Sequence, residues 1–379
     1  MNETSEQAVE SSVPAESVIV LTVNLYLTGV ILLIVCAFGI VSNILVVAIL
    51  TRKSMRSSTN AFLLALAIFD TIVLLCTLLL LCLETLDEIW RYKVVPHLVL
   101  YIYPVATIAQ TVTIWITVSF TVERYIAVCH PLKASRMCTI SKARKIIGLV
   151  VILSFLYNFS RWFEYRVDAI TDHSSPNNTT RYTVVPTKFG ENRLYEWIYY
   201  CGLYLPFMCI IPLIILAILN TLLVLAVRKS TRDRLTMGNT NHAQSKENNI
   251  TMMLVSVVIV FIICQFPALI YNVALGVARP YVVQSEGWQI LSIVRNFTVS
   301  CNSAVNFMLY CALGQRFRQV FLMTFCGSWY RKHGRARGTI SASTNGLSRK
   351  SRLSDRNVIS CSRYGTTYTT VPSDGDTAL

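Results

Sequence analysis

Seven long apolar runs cross this chain, over approximately 25–50, 60–83, 97–122, 146–163, 197–227, 250–276 and 288–311. A helix needs about 20 apolar residues to span a bilayer, and each of these runs is long enough to do so. Lipid offers the backbone no hydrogen-bond partners, so a spanning segment must be a helix or part of a closed barrel. Barrel strands alternate in polarity over about 10 residues, and these runs do not. The predicted fold is therefore an all-α membrane protein, a seven-transmembrane helix bundle. The fourth run is the weakest, with Arg161 and Glu164 at its outer end. The composition agrees: 54% hydrophobic and 14% charged is too apolar and too sparsely charged for an ordinary soluble chain of 379 residues.

Charge sets the expected orientation. With the N-terminus outside, the inner segments and tail hold 25 of the 34 Lys and Arg residues. The inner side then carries about +19 and the outer side about −4. The net +14 thus belongs to the cytoplasmic face, where it favours anionic lipid and acidic partners and argues against nucleic acid. The expected location is the plasma membrane, with a cytoplasmic C-terminus.

Residues 1–24 form an extracellular arm without the basic start and short apolar core of a cleavable signal. The bundle occupies 25–311. Residues 312–326 mix apolar and basic residues as a short amphipathic eighth helix on the membrane surface does. Residues 327–379 read as a disordered cytoplasmic tail, rich in Ser and Thr. Asn2, Asn177 and Asn178 begin glycosylation sequons on the outer side. Cys326 closes the amphipathic segment, either as a palmitoylation site or as an unmodified interfacial thiol. None of the twelve cysteines lies clearly in an outer segment, so no framework disulfide is expected there. The outer loop 164–196 is long and polar, a candidate lid.

Several motifs sit in register along the runs: Gly39-Ile40-Val41-Ser42-Asn43, Leu66-Ala67-Ile68-Phe69-Asp70, Glu123-Arg124-Tyr125, Pro212, Phe261 with Cys264 and Pro267, and Asn302-Ser303 followed by Asn306-Phe307-Met308-Leu309-Tyr310. In this order the set resembles the rhodopsin-like (class A) G-protein-coupled receptors over about residues 25–326. Met55 to Asn60, Ile108 to Thr111, Glu123 to Ala134, Tyr157-Asn158 with Arg161 and Glu164, and Leu216 to Asn220 look like the invertebrate FMRFamide-receptor group. Asn306-Phe307, where most rhodopsin-like receptors carry Asn-Pro, is similar to that group as well. The resemblance implies a receptor for a short amidated neuropeptide ending in Arg-Phe-amide, coupled to a heterotrimeric G protein, with arrestin recruited by the tail; the alternative is a receptor for an unrelated peptide or one that signals constitutively without a ligand. It departs from the wider family in three ways. The usual disulfide between the third helix and the outer loop lacks both partners, Gln265 stands where many relatives have Trp, and Asn220 replaces a tyrosine.

Glu123, Arg124 and Tyr125 are the expected switch, together with Pro267, Asn306 and Tyr310. Arg124 can pair with Glu123 at rest. By family analogy it would also lock to Glu247, which is otherwise a solvated charge beside Lys246. Pro267 removes a helical hydrogen bond and gives the sixth helix a place to swing. Asp70 is a mid-membrane carboxylate faced by Thr113, Asn302, Ser303 and Asn306. The resemblance implies a sodium ion there; the alternative is a protonated Asp70 in a polar packing network.

The expected ligand cavity lies between the outer halves of the third, fifth, sixth and seventh helices. Tyr103, Thr107, Gln110, Thr111, Tyr204, Gln265, Tyr271 and Arg295 are its candidate lining, each alternatively a packing residue. An arginine-bearing peptide needs a carboxylate. Glu84, Asp87, Glu88, Glu164 and Glu196 ring the opening, with Glu84 the first choice and solvated rim charge the alternative. The terminal Thr377-Ala378-Leu379 matches what PDZ domains read, or is an unstructured end. No enzyme motif lies in a span, and no half-repeat of the transporter kind is visible.

Overall fold

The computed structural model describes residues 17–172, 179–237, 256, 259–274, 285–313 and 315–325. The chain divides into two compact units, Met1–Phe321 and Leu322–Leu379.

Among the described residues, five helices are long and apolar enough to cross a membrane: α1 Val18–Leu50, α2 Ser58–Leu86, α3 Trp90–Cys129, α4 Ile140–Phe163 and α5 Arg193–Ala226. α6 is described over Ile259–Ala274 and is shorter. α7 covers Glu286–Leu313, and α8 covers Gln315–Phe325. A two-turn helix, Pro131–Met137, links α3 to α4. The first helix begins seven residues inside the segment read above as an arm, and α7 runs to Leu313, past the 311 boundary expected for the bundle.

Short polar side chains fix where the helices start. Ser57 Oγ accepts from Asn60 N (3.1 Å), Asp87 Oδ1 from Trp90 N (2.6 Å), and Asn192 Oδ1 from Leu194 N and Tyr195 N (2.9 and 3.3 Å). Each satisfies N–H groups that a first turn leaves open. The outer part of α5, Trp197–Ile210, is wound wider than an α-helix and contains Pro206. Proline lacks the N–H that a tight ladder needs, and the wider turn accommodates it.

The polarity is that of a membrane bundle. Asp70 and Asn43 are fully buried, whereas Ile34 (63% exposed) and Leu149 (57%) face outward. The inner core gathers Val46, Phe62, Leu66, Ile116, Phe120 and Tyr310, and Phe317 of α8 packs against it. α1 and α7 approach closely at Gly39, where a Cβ would lie 2.6 Å from Leu74 Cδ1 and 2.8 Å from Ala304 Cβ. Asn43 Nδ2 donates to the Ser303 carbonyl (2.8 Å), tying the same two helices.

The outer loop read above as a candidate lid is built on two strands. It forms an antiparallel hairpin of β1, Tyr165–Asp172, and β2, Thr179–Pro186, in register Tyr165↔Pro186 to Asp172↔Thr179. β2 is rich in Thr, Val and Tyr, residues that suit a pleated surface. Tyr182 meets His97 edge-on (4.8 Å), Tyr165 meets Tyr103 (5.9 Å), and Arg181 lies over Tyr92 (4.8 Å), so the hairpin rests on the outer end of α3.

Candidate functional site

An open cavity of about 400 Å³ lies in the outer half of the bundle. Tyr103, Thr107 and Gln110 of α3 line it, with Tyr204 of α5, Tyr271 and Asn272 of α6, and Arg295 and Asn296 of α7. The sequence reading missed the wall given by α2, including Cys76, Thr77 and Leu80, and the contributions of Arg161 and Tyr165. It placed two residues wrongly. Thr111 lies on a separate apolar cleft toward α4, where its hydroxyl accepts from Asn158 Nδ2 (2.9 Å). Gln265 is half-buried in α6 but does not line the cavity.

No carboxylate lines the cavity among the described residues, and two guanidinium groups do. Arg295 lies over the Tyr271 ring (4.6 Å) and donates from Nε and Nη2 to Asn296 Oδ1 (3.2 and 2.9 Å). Arg161 is buried and donates from Nη1 to both oxygens of Glu164 (2.9 and 2.7 Å), with its guanidinium 4.1 Å from the Tyr199 ring centre. Glu164 is therefore not a rim charge: it neutralises Arg161 and accepts from Tyr195 Oη at 2.6 Å. Tyr199 Oη donates to Asn158 Oδ1 (3.2 Å), joining α5 to α4. The Glu164 carbonyl accepts from Thr187 N (2.8 Å), which pins the base of the hairpin. Gly190 passes so close to this carbonyl that a Cβ would collide with it. The i, i+3 spacing of Arg161 and Glu164 was the available signal for this pair. Glu84 lies in the last turns of α2, outside the cavity lining, and its carbonyl accepts from Arg91 Nε (3.0 Å).

Midway through the bundle, Asp70 Oδ1 accepts from Ser303 Oγ (2.9 Å) and Thr113 Oγ1 (3.4 Å), and Oδ2 from Asn306 Nδ2 (2.7 Å). Asn302 is buried one turn before Asn306. This hub joins α2, α3 and α7 by side chains alone.

At the inner end, Arg124 Nε donates to Glu123 Oε2 at 2.7 Å, and its Nη2 lies 2.5 Å from the same oxygen. Tyr125 stacks edge-on against His130 (5.6 Å). Tyr310 is buried against Phe317. Glu123 Oε1, Asn220 Oδ1 and Tyr310 Oη are buried without a hydrogen-bond partner among the described residues. Pro267 is half-buried in α6. Glu247, Asn2, Asn177, Asn178, Cys326 and Thr377-Ala378-Leu379 lie outside the described residues.

A helical membrane bundle with an open outer cavity, a buried polar hub and a charged pair at the inner mouth defines a seven-helix receptor of the G-protein-coupled type. The chain belongs to the serpentine type 7TM GPCR chemoreceptor Srw family, whose model matches residues 30–328. It is 32% identical over 309 residues to the FMRFamide receptor of Drosophila melanogaster, covering 80% of this chain but only 54% of that protein. It is 29% identical over 301 residues to an FMRFamide peptide receptor of Caenorhabditis elegans, covering 77% and 67% of the two chains. Against the human thyrotropin-releasing hormone receptor the identity is 28% over 349 residues, covering 84% and 83%. This is a family of receptors, not enzymes.

Proposed function

We propose that this protein is a rhodopsin-like (class A) receptor for a short amidated neuropeptide of the FMRFamide kind, signalling through a heterotrimeric G protein. The observation that carries the reading is the outer cavity, whose aromatic and donor-rich wall suits the end of a peptide. Arg295, Asn272 and Asn296 offer N–H groups to peptide carbonyls. Its volume of about 400 Å³ holds the end of a peptide and not its length. Because two arginines and no described carboxylate line the wall, a ligand arginine belongs at the rim, where Glu84 remains the assigned partner. The names of the relatives support a peptide.

In this reading, ligand in the cavity biases α6 and α7, and α6 swings outward about Pro267. Arg124 then leaves Glu123 and its lock to Glu247, so that the inner cleft accepts a G-protein helix. Asp70, with the hydroxyls of Thr113 and Ser303, offers hard oxygen donors for a sodium ion that favours the resting state. Asn302 is close by, and Asn306 would turn its amide oxygen inward to join the set. Outer-side glycosylation at Asn2, Asn177 and Asn178, palmitoylation of Cys326, arrestin at the tail and a PDZ partner at Thr377-Ala378-Leu379 complete the proposal.

The test is a panel of amidated peptides, including FMRFamide-like and thyrotropin-releasing-hormone-like members, against cells expressing the chain, read by calcium and cAMP together. Saturable activation by an Arg-Phe-amide peptide is expected. Activation by the second class alone would reassign the ligand, and silence to every peptide would sink the peptide reading. In membranes at constant ionic strength, sodium should lower agonist affinity, and Asp70→Asn should remove that effect. A wild-type affinity indifferent to sodium would reject the ion.

A further inference from the structure

We infer that a cleft at the inner end of α1, α2 and α4 is a binding site for an anionic phospholipid of the surrounding bilayer. The inference rests on the chain being a membrane protein and is independent of which ligand fills the outer cavity.

The cleft has a volume of about 320 Å³. Its apolar wall comes from one face of α2, where Ala61, Leu64, Ala65 and Ile68 recur at helical spacing, and from Ile140 and Ile147 on α4. The two alanines are small, and they leave the hollow that larger side chains would fill. Ile68 is 42% exposed, so the hollow opens on the side of the helix that meets lipid.

Two arginines stand on the same cleft. Arg144 lies on the α4 face between Ile140 and Ile147, and Arg56 lies in the turn between α1 and α2. That turn is well fixed. Met55 is buried, its carbonyl accepts from Asn60 Nδ2 (2.5 Å), and Thr51 Oγ1 donates back to the Val47 carbonyl (2.8 Å). Arg56 and Arg144 are exposed and form no ion pair with any described residue, and no carboxylate lines the cleft.

An apolar hollow open to lipid, beneath two uncompensated cations and beside the hydroxyls of Thr51 and Ser57, matches one kind of molecule. Its acyl chain lies along Leu64, Ile68 and Ile147, and its phosphate accepts from the two guanidinium groups. A zwitterionic lipid would fill the hollow equally well but would bring its own cation to the arginines. A soluble phosphate would satisfy the arginines and leave the hollow unused. Anionic phospholipid satisfies both halves.

The experiment uses the full-length protein in nanodiscs of equal phosphatidylserine and phosphatidylcholine, with retained lipids counted by native mass spectrometry after release. Wild type is expected to retain phosphatidylserine preferentially. Arg56→Gln with Arg144→Gln should lower that retention by about fivefold for each arginine. Lys133→Gln with Arg136→Gln, exposed cations off the cleft, should leave it unchanged. Ala61→Leu, which fills the hollow and keeps both arginines, should lower it as well; a thermal melt of each variant confirms folding. Equal retention of both lipids by wild type would overturn the site. So would an equal loss in the Lys133 and Arg136 pair, which would mean a diffuse field. Unchanged retention in Ala61→Leu, or displacement of the lipid by soluble glycerophosphoserine, would overturn the acyl half.

Discussion

The outer and inner halves of this bundle handle buried charge differently. At the outer end, Arg161, Glu164, Tyr195, Tyr199, Asn158 and Thr111 form a connected network through the tops of α3, α4 and α5, and it reaches the base of the hairpin. At the inner end, Arg124 and Glu123 pair with each other as sequence neighbours and, among the described residues, tie no two helices together. Around them, Glu123 Oε1, Asn220 Oδ1 and Tyr310 Oη on α3, α5 and α7 are buried without partners among the described residues, and beside the outer network Tyr157 Oη is buried in the same state. A buried polar atom without a partner costs about 1–3 kcal/mol. The outer network holds its helices in one arrangement; the inner groups gain from any movement that gives them partners. In the proposed switch the ligand cavity is kept while the inner face changes, and the two halves divide that work.

The sharpest way to break this contrast is Glu164→Ala. It strands a buried guanidinium and should lower thermal stability by about 3–5 kcal/mol, with reduced surface expression. A melting temperature like that of wild type would show that the network does not hold the outer half. Tyr195→Phe removes one hydrogen bond to the same carboxylate and should cost about 1.5–3 kcal/mol in the same melt. Arg124→Ala probes the other half, and its signature is functional: nucleotide exchange stimulated by agonist should fall at least tenfold, about 1.4 kcal/mol, while expression persists. Normal signalling by this variant would remove the switch from the inner end. Smallest is Tyr310→Phe, which deletes a hydroxyl that has no partner among the described residues. Stability should hold or rise by up to about 1 kcal/mol, and a clear loss would reveal a partner that the resting arrangement conceals.

The halves also differed in how far the sequence disclosed them. The spans, Asp70, and the Glu123-Arg124 pair were legible because hydropathy and intramembrane charge are local signals. Tyr103, Thr107, Gln110, Tyr204, Tyr271 and Arg295 line the cavity, since helical periodicity places them on inward faces. The outer network was not legible. Arg161 and Glu164 looked like a flaw in the fourth span and a rim charge. Their meaning depends on Tyr195 and Tyr199, more than thirty residues away in sequence. The hairpin was hidden for the same reason: eight-residue strands in a polar loop gain their register from each other and their support from His97 and Tyr103 on α3.

The outer network has one more consequence. Neither the loop 164–196 nor the stretch 83–128 contains a cysteine, so the hairpin is fastened by an ion pair, tyrosine hydroxyls and backbone bonds. This end of the bundle can therefore mature without oxidative folding, and thiol reductants have nothing in the hairpin to cut. A lid of this kind keeps its hold in a reducing medium, and it yields instead to whatever competes for a carboxylate.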